Sequence, residues 1–162
     1  MRVLAEIIET LYPDLPSHTP EPDVVTFLNE SRIPLEIVED LCCKTSVEYL
    51  VIGNLDLFPI NELKITNLDD VYFPWYNDGY VTIAQGANGD PVVFDIKTNL
   101  IAFVHHDEMD YDDPSLIPSK HVIHTPLDYE QFWRQCAADD DFPLDAYAAE
   151  EIWGRPERGI AA

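Results

Sequence analysis

Apolar positions recur with a helical period over residues 2–12, where Val3, Leu4, Ile7, Ile8 and Leu11 share one face. Pro13 and Pro16 end that pattern. A second helix is expected behind Thr19 as its cap, with Pro20 in the first turn and Glu21 and Asp23 at the positive end. Val24, Phe27 and Leu28 would face inward. Ile33-Pro34 restarts the period, and Leu35, Val38, Leu41 and Cys42 fall on one face through Cys43.

The period then shortens. Tyr49–Ile52 reads as a strand ended by Gly53-Asn54, and 57–60 with 63–66 suggest a further extended stretch. Residues 80–105 carry the clearest signal. Tyr80–Gln85, Pro91–Ile96 and Leu100–His105 form three strands, joined by Asn88-Gly89, a hairpin dipeptide, and by Lys97-Thr98-Asn99. Residues 107–128 read as an acidic, proline-bearing loop. A helix with Phe132, Trp133 and Cys136 on its apolar side follows, with Thr125 or Asp128 as its cap. Asp139-Asp140-Asp141 breaks it, Asp145 caps a last short helix reaching Ile152-Trp153, and a loose tail runs from Gly154. Helices at both ends with a local antiparallel meander between them predict an α+β fold in a single domain over residues 1–162.

Charge changes that picture. The chain has 162 residues with 31 Asp and Glu against 9 Lys and Arg, a formal net charge of -22. Its 46% apolar and 11% aromatic content belongs to a folded chain rather than a disordered acidic one. Binding to phosphate backbones or anionic lipid heads rests on Lys and Arg, so neither nucleic acid nor membrane is an expected partner. Two readings of the charge remain: it keeps the protein soluble, or it attracts a basic partner. Three cysteines, two of them adjacent, fit reduced thiols better than a disulfide framework. With no apolar run of about 18–20 residues, the chain reads as soluble and cytoplasmic.

Few motifs carry catalytic chemistry. The 85–91 loop lacks the GxxxxGK[ST] and GxGxxG patterns and leads into a strand, so it reads as a hairpin turn. His105, His106, His121 and His124 are the best case for a metal enzyme, but adjacent strand residues face opposite ways and the spacing matches no established ligand pattern. No serine sits in a GxSxG elbow. No cofactor, metal or catalytic residue is therefore expected. The aromatic run 71–80, with Trp75, Tyr76 and Asp78, reads either as a core anchor or as part of a contact surface.

The stretch from Trp75 to Glu108 resembles the SUKH superfamily, which includes yeast cell-wall-assembly regulators and bacterial immunity proteins. The resemblance lies in Asp78-Gly79-Tyr80, the turn Gly86-Ala87-Asn88-Gly89-Asp90-Pro91, the strand with Phe94-Asp95, and the ending Phe103-Val104-His105-His106-Asp107-Glu108. Ile33-Pro34-Leu35 and Pro126–Phe132 are similar to the family's flanking helix starts, so the likeness covers about residues 19–138. It implies a compact, non-catalytic, protein-binding domain, with Gly79, Gly86, Asn88, Gly89, Asp90, Asp95 and His106 as structural motif residues. For the bacterial members it implies neutralisation of a toxin domain, often a nuclease and hence basic. A regulatory scaffold of the cell-wall type is the alternative. Candidate contacts are Asp107, Glu108, Asp110, Tyr111, Asp112 and Asp113, then Asp139, Asp140 and Asp141, beside Trp75, Tyr76 and Asp78.

Overall fold

The computed structural model describes residues 1–44, 47–69 and 74–155. Among them lie α1 (Val3–Leu11), α2 (Pro22–Glu30), α3 (Leu35–Cys43), β1 (Leu50–Ile52), β2 (Leu55–Leu57), α4 (Leu63–Asn67), β3 (Tyr80–Gln85), β4 (Pro91–Asp95), β5 (Leu100–Val104), β6 (Val122–Asp128), α5 (Tyr129–Ala138) and α6 (Ala146–Trp153). The strands form one antiparallel sheet in the order β1-β2-β3-β4-β5-β6, so each strand pairs with its neighbour in sequence. The fold is α+β.

Alternation divides the sheet into two faces. Val81, Ile83, Val92, Phe94, Ile101, Phe103 and Ile123 join the larger core, which α1, α2, α3, α5 and α6 cover. Tyr80, Val93, Ala102, Val104 and Val122 point the other way, onto Trp75 and Met109. Burial on both faces explains why the strands read as near-continuous apolar runs.

One buried acid ties the helical layer together. Asp40 of α3 accepts from Leu4 N at 2.9 Å, Ala5 N at 3.2 Å and the Tyr129 hydroxyl at 2.9 Å. It thus caps α1, whose own N-cap residue, Arg2, makes no side-chain cap bond. Burial, then the Asp40 charge, push the Tyr129 phenol well above its ordinary value.

Several boundaries differ from the sequence expectations. α2 begins at Pro22, with Glu21 extended before it, so Thr19 and Pro20 precede the helix instead of starting it. Leu35 is exposed, and Ile33 ahead of the helix is buried in its stead. Residues 63–66 are helical. Asn67 at the end of α4 accepts from Thr82 N at 2.7 Å and donates to Thr82 O at 2.9 Å, so one side-chain amide completes the β3 edge where a strand was expected. The loop expected through 128 ends at 121, because Val122–Asp128 is a sixth strand. Its Pro126 is tolerated because β6 pairs on one side only. Thr125 is no cap: it donates to Ile101 O at 2.7 Å, while Asp128 and Gln131 form a capping box on α5. Of the tail expected from Gly154, residues 156–162 lie outside the described set, as do Val71–Phe73 of the aromatic run. No helix among the described residues is long and apolar enough to cross a membrane.

Candidate protein-binding face

The turn between β3 and β4 starts the site. Gly86 N donates to Asp90 O at 2.8 Å and Gly89 N to Gly86 O at 3.0 Å. Gly89 holds φ +87°, which favours glycine, and a Cβ on Gly86 would lie 2.3 Å from Leu144 O. Asn88 Oδ1 accepts from Asp90 N at 2.9 Å. The Asp90 carboxylate is fully buried. One oxygen accepts from Ala146 N at 2.9 Å and from Asn88 Nδ2 at 2.9 Å. The other stands 2.5 Å from His106 Nδ1. One short turn thereby fixes both the start of α6 and the start of the acidic loop.

The linker between α5 and α6 crosses the same end of the sheet. Asn54, in the β1–β2 turn, donates to Asp140 O at 3.1 Å and to Phe142 O at 2.8 Å. Ala87 N donates to Leu144 O at 2.8 Å. The runs 107–113 and 139–141, far apart in sequence, are therefore carried on one end of the molecule. Asp107, Asp110, Tyr111, Asp112, Asp113, Asp139, Asp140 and Asp141 are all exposed there. Local turns shape them: Asp110 accepts from Asp112 N at 3.1 Å, and Asp139 from Asp141 N at 2.9 Å. The Ser115 side chain and backbone both donate to Asp113 and hold its carboxyl below its ordinary value.

Behind this surface runs a chain of alternating basic and acidic side chains. His105, fully buried, places Nε2 2.8 Å from Glu150 Oε2, and its ring meets Tyr147 edge-on at 4.6 Å. Arg155 lies 3.1 Å from Glu150 Oε1 through Nε and 2.6 Å from Glu108 Oε2 through a terminal nitrogen. His121 Nδ1 is 3.7 Å from Glu108. Burial works to raise the Glu108 carboxyl, but the Arg155 bond and the His105, Arg155 and His121 charges bring it below its ordinary value. Burial lowers His121 against the opposing pull of Glu108. Glu150 and Arg155 were missed in the sequence because a Gly154-Arg155-Pro156 run resembles any helix exit.

The remaining candidates lie elsewhere. Trp75 is fully buried under the second sheet face, its indole donating to Thr82 Oγ1 at 2.9 Å, so it is a core anchor and not a contact residue. Tyr76 and Asp78 are at the opposite end, beside the β4–β5 turn. There Ile96 N donates to Gly79 O at 3.0 Å, and Gly79 holds φ +90° against Ile96. Tyr76 is half-buried against Phe27, its hydroxyl 3.0 Å from Ser31 Oγ. It lines a cleft of about 410 Å³ with Glu30, Arg32, Asp78 and Lys97, whose charges are mixed. Asp95 is buried in that β4–β5 turn, accepting from Lys97 N at 2.9 Å.

The four histidines do not converge. His105 is committed to Glu150, His121 lies beside Glu108, and His124 is at the far end, 3.6 Å from Asp95. Among the described residues the one grouping with metal-ligand spacing is Asp90, His106 and Asp107, all within 4.8 Å. Asp90 already serves Ala146, Asn88 and His106, so His106 Nε2 and Asp107, 2.9 Å apart, are what that grouping could offer an ion. Cys42, Cys43 and Cys136 are free thiols. Burial pushes Cys136, which donates to Ile52 O, up to about 12, the reverse of what a nucleophile needs. Comparison with family models, curated proteins and solved structures returns no match to this chain.

Proposed function

We propose that the chain is a non-catalytic immunity protein of the SUKH type, which neutralises a basic toxin domain by binding it through the acidic end of the sheet. The observation that carries this reading is that the 107–113 and 139–141 runs are both displayed at one end of the sheet, with Tyr111 exposed in the first. A solubilising charge has no need to gather; a charge that recognises a partner does. A nuclease domain must be basic to hold nucleic acid, and an acidic protein occupies the same field. The motif residues support the reading by their placement: Gly86, Asn88, Gly89, Asp90 and His106 build the scaffold on which both acidic runs are displayed.

The test is co-expression with the toxin encoded beside this chain's gene. Growth is restored by the wild-type chain and lost when Asp107, Asp110, Asp112 and Asp113 are changed together to asparagine. In stopped-flow mixing, association slows steeply with salt. Failure to rescue growth from any adjacent toxin, or a flat salt dependence, overturns the reading.

A further inference from the structure

Arg155 is one of only nine cationic residues in the chain, and it is seated at the acidic end. It is 15% exposed, against 31% for Glu108 and 34% for Glu150. It follows Gly154, whose φ of +80° and bond from its N to Glu150 O close α6. The seat fits a guanidinium imperfectly. The bond to Glu108 is short, but Nε, although 3.1 Å from Glu150 Oε1, is buried without an aligned hydrogen-bond acceptor. A forked donor approaching from outside has no such constraint, since no helix end fixes its angle. Next to the seat lies the exposed Tyr147 ring, whose phenol is raised by desolvation first and then by the charges of Asp107, Glu108 and Asp90, with Arg155 working to lower it. An aromatic face beside paired carboxylates is the setting that favours arginine over lysine.

We infer that Glu108 and Glu150 form a guanidinium seat which Arg155 fills in the free protein, and which an arginine of the partner takes over on binding. The inference rests on the proposed protein-binding role and names the partner residue. Arg155 is then an internal competitor, and removing it strengthens binding instead of weakening it.

The probe is an acetylated hexa-arginine amide titrated into the full chain, with the hexa-lysine peptide alongside. Binding is read by calorimetry and by NMR of the Glu108 and Glu150 carboxylates and the Arg155 Nε–H. Hexa-arginine is expected to shift both carboxylates and to release the Arg155 signal, while hexa-lysine shifts them less. Arg155→Ala should bind hexa-arginine about two- to five-fold more tightly, the range over which a partly exposed ion pair competes. Arg155→Lys, which keeps the charge without the fork, falls between. Glu108→Gln with Glu150→Gln abolishes the preference for arginine. Carboxylate signals that stay still, equal binding of the two peptides, or unchanged or weaker binding by Arg155→Ala overturns the seat. The two readings fail separately: a toxin neutralised equally well by the Glu108→Gln, Glu150→Gln double variant leaves neutralisation standing and removes the seat.

Discussion

The strand β4 is bracketed by two buried aspartates that do unlike things. Asp95, at its end, accepts from Lys97 N at 2.9 Å and Thr98 Oγ1 at 3.0 Å, both within three residues. Asp90, just before its start, reaches Ala146, 56 residues away, and His106, 16 residues away. The residue type and the burial are alike. What differs is that one carboxylate closes a turn, while the other joins α6, the β3–β4 turn and the acidic loop. The end of the sheet built on Asp90 presents the charged surface; the end built on Asp95 opens onto a cleft of mixed charge.

Asn substitutions separate the two ends most sharply. Asp90→Asn keeps the shape but sets an amide against either Ala146 N–H or His106, leaving a buried group unpaired at a cost of about 1–3 kcal/mol. Asp95→Asn retains an oxygen for Lys97 N and should cost less than about 1 kcal/mol. Urea unfolding checks both. Hydrogen exchange should speed in α6 for the first variant and only around 96–99 for the second. Equal losses, or an α6 left undisturbed by Asp90→Asn, would break the contrast.

A comparable loss comes from Gly86→Ala. The new methyl would meet Leu144 O at 2.3 Å, and that carbonyl belongs to the linker already bonded to Ala87 N. Overpacking of this kind costs about 1–3 kcal/mol. The linker must lift, so the 139–145 signals should move in an NMR spectrum while those of 96–99 hold still.

What could be read from the sequence follows the same division. The meander 80–104, Asp128 as one of two caps offered for α5, and the Asp145 cap of α6 were legible because each is decided by neighbours within a few residues. The acidic runs were legible as composition, but their placement at the same end of the sheet was not. It depends on Asn54 bonding Asp140 O and on Asp90 bonding Ala146 N, 86 and 56 residues apart. β6 was hidden by Pro126, whose harmlessness is visible only once the strand lies at an edge. Trp75 could be read as a core anchor or as a contact residue, and the second sheet face decided for the core.

Acid should loosen the Asp90 end by a smaller amount. His121 titrates below its ordinary 6.5, so the stability tied to its neutral form is complete above that pH and falls as the pH drops toward its folded value. Glu108 titrates below its ordinary 4.5, so its contribution is complete above that pH and is lost only in stronger acid. Both effects have the same sign. Opening free energies from hydrogen exchange in 106–121 should hold steady above pH 6.5 and decline in two stages beneath it. Glu108→Gln should remove the lower stage and, by taking away the charge that opposes burial at His121, move the upper stage to lower pH; an upper stage left in place would contradict the assignment.

The smallest effect on stability, and the cleanest test of the surface as a field, comes from Asp139→Asn, Asp140→Asn and Asp141→Asn together. All three are exposed, and the bond that Asp139 accepts from Asp141 N is within reach of an asparagine oxygen. Unfolding should change by no more than about 0.5 kcal/mol per site. Encounter with a basic partner depends on summed charge rather than on any one contact, so association should slow several-fold at low salt while dissociation barely changes. Asp78→Asn, a carboxylate lost from the opposite end, should leave the association rate nearly unaltered. If Asp78→Asn slowed association as much per charge as the triple change did, the field would be a property of the whole molecule, and its gathering at one end would carry no recognition.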